Sequence, residues 1–166
     1  MNQKVKTIFL LRHGKSAWDQ PALGDIKREL LPKGIQRTER ITQYLREINI
    51  KIDKVISSPA KRAFGTAEII QQSLNLPDII VETRLYPCSE EEIFNILIEQ
   101  DDSIDNVLIV GHNPGLTYFA REYMDQNIDH IPTSGLLSCR YYSNSWSEFS
   151  LAERKLNFVV SPKSLR

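Results

Sequence analysis

Apolar residues in this chain come in two alternating rhythms. Thr7-Ile8-Phe9-Leu10-Leu11 is a short, almost wholly apolar run, the signature of a strand buried on both faces. Lys54–Ser57, Ile79–Val81 and Asn106–Val110 repeat it, each with β-branched residues. Between these runs the spacing is helical. Ile35, Ile41, Leu45 and Ile48 follow the first, and Ala63, Ala67, Ile70 and Leu74 the second. Ile93, Ile96 and Leu97 form a third apolar face, and Leu116, Phe119, Ala120 and Tyr123 a fourth. Ser89 with Glu92 three residues on is a capping-box pattern that starts a helix. Strand alternating with helix implies a mostly parallel central sheet with helices on both faces. Beyond about Pro132, Leu136–Tyr142, Glu148–Leu151 and Asn157–Val160 look like strands of a C-terminal antiparallel addition to that sheet. No linker, charge block or repeat divides the chain, so the expectation is one α/β domain over residues 1–166.

Composition narrows the partners. The chain balances 21 Lys and Arg against 21 Asp and Glu, which gives no reason to expect nucleic acid or an acidic membrane. No apolar run is long enough to cross a bilayer, and the short run before Arg12 and His13 is no signal peptide. Cys88 and Cys139 build no disulfide framework; two free thiols suit a reducing cytoplasm, and a cytoplasmic monomer is the expectation.

In an open α/β sheet the active site lies beyond the carboxyl ends of the strands. Arg12-His13-Gly14-Lys15-Ser16 follows the first strand, Ser57-Ser58-Pro59-Ala60-Lys61-Arg62 the second, and Gly111-His112-Asn113-Pro114-Gly115 the fourth. Two of the three histidines thus sit at strand ends, with Arg12 and Arg62 close by. Arginine offers a planar, permanently charged fork for phosphate oxygens, and a neutral imidazole can attack phosphorus and carry the phosphoryl group. Ser58 before Pro59, and Asn113 before Pro114, read as helix caps that would aim free N–H groups at the same anion. Taken singly, each residue has a plain alternative as a surface, capping or solvated helix residue; it is their joint placement that points to an anion site. His130, in a polar stretch away from a strand end, is read as structural.

Rival chemistries fail on spacing. Gly14-Lys15-Ser16 resembles the end of a P-loop, but the first glycine would fall at Phe9. A cysteine phosphatase would carry arginine six residues after its cysteine, where Cys88 meets Phe94 and Cys139 meets Ser145. The scattered His13, His112 and His130 make no zinc ligand set, and a lone Gly14 makes no dinucleotide fingerprint.

At these residues the chain resembles the histidine phosphatase superfamily, the phosphoglycerate mutase-like proteins, whose members carry Arg-His-Gly after the first strand. Asp25 to Gly34, ending Leu30-Leu31-Pro32-Lys33-Gly34, resembles the family's segment leading into its first helix. Ser57-Ser58-Pro59 with Lys61-Arg62-Ala63 and Thr66-Ala67-Glu68 is similar to its second arginine block, and Gly111–Leu116 to its second histidine block. Pro132–Gly135 and Ser145-Trp146 resemble the tail of the small SixA-type phosphohistidine phosphatases.

The resemblance implies His13 as the phosphorylated nucleophile, Arg12 and Arg62 on the phosphoryl oxygens, His112 completing the pocket and Lys15 where substrate could be reached. It implies no metal and no cofactor. There are two departures. Leu31 stands where many members have threonine, so the first helix lacks a side-chain cap. Arg84-Leu85-Tyr86-Pro87-Cys88-Ser89 carries no carboxylate where many members supply a general acid; Glu82, Glu90 and Glu91 lie nearby, the last two as ordinary first-turn helix residues.

The expectation is a metal-independent phosphatase acting through a phosphohistidine, on phosphohistidine or another phosphoprotein. The alternatives are a phosphatase for small phosphate esters and a phosphate-binding module without turnover.

Overall fold

The computed structural model describes residues 3–18 and 24–166. Six strands form one sheet: β1 (Val5–Arg12), β2 (Lys54–Ser57), β3 (Ile79–Val81), β4 (Asn106–Gly111), β5 (Leu136–Tyr142) and β6 (Arg154–Val160). Their order is β3-β2-β4-β1-β5-β6. β1 pairs with β4, β4 with β2 and β2 with β3 in parallel, whereas β5 and β6 add antiparallel strands beyond β1. The alternating strands and helices therefore build the parallel half, and the C-terminal strands extend it as expected.

Four helices cover both faces: α1 (Pro32–Glu47), α2 (Lys61–Ser73), α3 (Glu90–Ile98) and α4 (Gly115–Tyr123). Side chains alternate across β1, sending Phe9 and Leu11 to α1 and α2, and Ile8 and Leu10 to α3 and α4. Ser89 caps α3 by accepting a hydrogen bond from Glu92 N at 3.1 Å. Leu31 precedes α1 with no side-chain cap, and Pro32 stands in its first turn.

Three local expectations are corrected. The buried stripe of α1 is Gly34, Thr38, Ile41, Thr42 and Leu45, while Ile35 and Ile48 are exposed. Its two threonines hide their hydroxyls on Gly34 O and Thr38 O, at 2.8 and 2.9 Å, so they pack like apolar residues. Glu148–Leu151 is no strand; it belongs to a 3-10 helix over Trp146–Leu151. Trp146 and Phe149, three apart, are fully buried and pack ring on ring, Phe149 also against Tyr141, and the Trp146 indole donates to Ile104 O at 2.7 Å. The last strand begins at Arg154, and Asn157 is the extra residue of a bulge facing Ser138 and Cys139.

The 3-10 geometry separates two neighbouring side chains that a strand would place on one face. Phe149→Ala is expected to cost about 3–5 kcal/mol, and Leu151→Ala, at a position 88% exposed, no more than about 0.5 kcal/mol. Denaturant unfolding of the two variants checks this; equal losses would contradict the 3-10 packing.

Candidate active site

The carboxyl ends of β1, β2 and β4 meet at one place. His13 follows β1, Arg62 lies in the first turn of α2, and His112 follows β4; their relative exposures are only 6, 5 and 6%. The two imidazole centroids are 5.1 Å apart. Arg62 lies between them, its Nε donating to His13 Nε2 and its Nη2 to His112 Nδ1, each at 3.4 Å.

The backbone around His13 is held from three sides. His13 N donates to Gly111 O on β4, and Ser134 N to both Arg12 O and His13 O. Gly14 N donates to Thr66 Oγ1 at 2.9 Å, and that hydroxyl donates to Arg62 O at 2.7 Å. One threonine thus ties the loop of His13 to the helix of Arg62. Gly34 completes the fit, because a Cβ there would lie 2.2 Å from Lys15 O. Only glycine lets α1 press on this loop.

Partners fix the imidazole tautomers. His13 Nδ1 is 2.7 Å from Gly14 O, and a carbonyl only accepts, so Nδ1 carries the proton. The lone pair is left on Nε2. Arg62 only donates, so neutral His112 accepts at Nδ1 and gives its Nε2 proton to Ser58 Oγ at 2.8 Å. Burial first, and then nearby positive groups, hold both rings neutral. His13 is lowered to about 3, against an opposing hydrogen bond to Gly14 O, and His112 to about 4.

Arg12 donates its Nη1 to Ile131 O at 2.9 Å, while its buried Nε has no partner among the described residues. Burial, Arg62 and Arg28 push Arg12 below its usual range. A buried unpaired donor costs about 1–3 kcal/mol, and like charges add to it; an oxyanion placed here relieves both.

Reading the sequence missed Asp25 as a site residue. It precedes α1 in a 3-10 turn, Asp25–Lys27, with no periodic signal to single it out. Its carboxylate accepts from Arg62 Nη2 at 3.0 Å, from Arg28 Nη1 at 2.9 Å and from the Tyr86 hydroxyl, and its carbonyl accepts from Arg62 Nη1 at 2.7 Å. The Tyr86 hydrogen bond above all, then the arginines, hold this acid well below the usual carboxylate range. Tyr86 also sets its ring edge toward His112, with centroids 5.6 Å apart. A Cβ at Gly115 would lie 2.4 Å from Cys88 O, so glycine there admits the strand-to-helix segment that carries Tyr86. Arg84 engages Glu82 on both carboxylate oxygens, at 3.0 Å each, and Glu90 and Glu91 lie in the first turn of α3 as expected.

Other expectations are revised. Ser58 and Asn113 do not cap α2 and α4, whose preceding residues are Ala60 and Pro114 with no side-chain cap. Ser58 instead serves His112, and Asn113 bridges Ile131 O and Thr117 Oγ1 at 2.8 Å each. Lys15 is exposed, and no side-chain hydrogen bond among the described residues joins it to the cluster. His130 is exposed, and Cys88 is buried with its thiol pushed up to about 11, a poor nucleophile.

Residues 8–88 match the model of the histidine phosphatase superfamily (branch 1). Phosphohistidine phosphatase SixA of Escherichia coli is 29% identical over 118 residues, 69% of this chain and 72% of that one. The uncharacterized protein Rv1276c of Mycobacterium tuberculosis is 30% identical over 148 residues, 83% of this chain and 90% of its own. The structure of the protein histidine phosphatase SixA complexed with tungstate superposes with a TM-score of 0.82 at 26% identity, covering 96% of this chain and 99% of that one. The chain belongs to the histidine phosphatase superfamily. Its activity class is that of a phosphatase, and its mixed six-stranded sheet is the fold of the SixA-type members. No helix among the described residues is long and apolar enough to cross a membrane.

The neutral histidines make stability depend on pH. Both folded-state values lie below the unfolded 6.5, so the unfolded chain binds more protons below that value. Their contribution is present above about pH 6.5 and lost as the pH falls toward 4. Between about pH 7 and pH 5, His13→Asn is expected to lose about 2 kcal/mol less stability than the parent chain. Unfolding at the two pH values checks this, and parallel losses would show that His13 is not held neutral.

Proposed function

We propose that this phosphatase works without a metal, through a phosphohistidine on His13, and that it takes its phosphoryl group from a phosphohistidine of a protein. The observation that carries the reading is the lone pair of His13 Nε2 facing Arg62, with the buried Arg12 Nε unpaired among the described residues. Arg12 and Arg62 bind the phosphoryl oxygens. His13 Nε2 attacks phosphorus, the bond to the leaving group breaks, and the departing atom keeps the electron pair. Water then attacks phosphorus and the P–N bond breaks, its electron pair returning to Nε2; one hydrogen of the water stays on the released phosphate, the other leaves to solvent as a proton, and His13 is neutral again. His112 takes a proton at Nδ1 once an anion lies beside it, and stabilises the charge that builds on the transferring group.

The substrate class follows from the leaving group. A phosphate monoester of an alcohol needs a proton donor for its departing oxygen. The carboxylate at hand, Asp25, is held ionised by Tyr86, Arg28 and Arg62, so it gives a proton poorly. An imidazole leaving from phosphohistidine picks up its proton beforehand and departs neutral. A phosphatase of small esters is the second reading, favoured by that same carboxylate if substrate binding frees it to protonate. The similarity to SixA proteins supports the first.

His13→Ala is expected to abolish turnover with the fold retained, and brief exposure of the parent chain to substrate leaves acid-labile phosphate on His13. A chelator leaves the rate unchanged, and tungstate or vanadate competes with substrate. Full activity in His13→Ala, or loss with chelator reversed by a divalent ion, overturns the mechanism.

Across a leaving-group series, phosphohistidine and nitrophenyl phosphate are expected to outpace sugar phosphates and phosphoserine by a factor on the order of 100. Asp25→Asn should change all of these rates by a common factor. A shallow series, with a loss in Asp25→Asn confined to alkyl phosphates, would make Asp25 the acid and small esters the substrates.

A further inference from the structure

Beside the catalytic loop lies a cleft of about 480 Å³ between α1 and the segment after β6. Lys33, Arg37 and Arg40 line one wall and Lys163 and Arg166 the other, with no Asp or Glu side chain in the lining. In a chain whose charges balance at 21 against 21, this is a marked segregation. None of the five takes part in an ion pair among the described residues. The three on α1 recur at four and three residues, which puts them on one face over about 10 Å of helix.

The cleft is joined to the site. Thr133 lines it, and the next residue, Ser134, donates its N–H to Arg12 O and His13 O. The Ser134 hydroxyl pairs with Thr38 Oγ1 on α1 at 2.9 Å. A single phosphate monoester seated on His13 is too small to fill both places. A protein whose surface surrounds its phosphorylated side chain with carboxylates can do so.

Resting on the phosphoprotein reading above, we propose that this cleft docks an acidic surface of the phosphorylated protein and selects substrates by the charge beside the phosphohistidine. Opposite charges across such a rim guide encounter and fix register.

Two phosphohistidine peptides of equal length test this. One carries glutamates roughly three to six residues from the phosphohistidine, about 10–20 Å along an extended chain; the other carries glutamines there. The protein is expected to show a KM about tenfold lower for the glutamate peptide, the worth of a few exposed charge pairs, with kcat unchanged. Added salt should erase the preference. So should the triple variant Lys33→Gln, Arg37→Gln, Lys163→Gln, while turnover of nitrophenyl phosphate stays at the parent rate. Equal KM values in the parent chain, or a preference that survives in the triple variant, overturn the proposal and leave the phosphatase reading intact. If neither peptide is hydrolysed, the phosphohistidine reading fails, and fluorescence anisotropy with the unphosphorylated peptides decides the docking alone. Binding of the glutamate peptide to the parent chain and not to the triple variant supports it; equal binding of both peptides, or none, overturns it. Self-association of the parent chain that the triple variant abolishes, without a peptide preference, assigns the cleft to a second copy and also overturns it.

Discussion

Arg62 is the charge around which the site is organised, and burying it sets the terms for its neighbours. A guanidinium that is 5% exposed must have its donors answered, and here they go to two imidazoles and to Asp25. Burial first, with this charge added, keeps both imidazoles neutral, and neutrality leaves a lone pair on His13 Nε2, as the proposed nucleophile requires. Satisfying the buried cation thereby fixes the tautomer of His112 and the placement of both rings, while Gly14 O fixes the tautomer of His13.

That requirement reaches into the fold through backbone contacts. Arg62 has to start α2 opposite the end of β1, and Thr66 fixes the distance by bonding to Gly14 N and Arg62 O at once. Gly34 and Gly115 admit α1 and the segment of Tyr86 at approaches that a Cβ would forbid. The sheet supplies the convergence of strand ends, and these few close contacts turn convergence into a site.

The parallel pairing of the central strands, both helical layers and the joint placement of Arg12, His13, Arg62 and His112 were legible because each rests on a local rule. Apolar runs mark buried strands, and strand ends mark the crevice. Asp25, Tyr86, Ser58 and Thr66 were not legible in their roles, because each depends on a partner brought close only by the finished fold. Arg62 is 37 residues from Asp25, and Tyr86 is 61 from it. The capping reading of Ser58 failed for a related reason: its hydroxyl satisfies His112 from another strand, which outranks the local signal. Periodicity likewise misplaced the face of α1, since Thr38 and Thr42 look polar in sequence yet bury their hydroxyls on their own helix. The Trp146–Leu151 turn was misread because strand alternation and 3-10 spacing are hard to tell apart over so few residues.

Asp25 changes how anion binding must be reckoned. It already gives Arg62 two acceptors, a carboxylate oxygen and its backbone carbonyl, and Arg28 one, so a phosphoryl group that takes these Arg62 donors takes them from Asp25 and not from water. The net gain is the difference between two charge-assisted contacts, which favours a dianion with several oxygens over a monoanion with few. Arg12 Nε, with no competing partner among the described residues, supplies the part of the attraction that is not an exchange. On the proposed reading, a carboxylate ligand gains little at Arg62 Nη2, where one carboxylate would replace another, and a tetrahedral phosphoryl group would gain at both arginines. Discrimination between the two kinds of anion would then rest on Asp25 and the two arginines themselves.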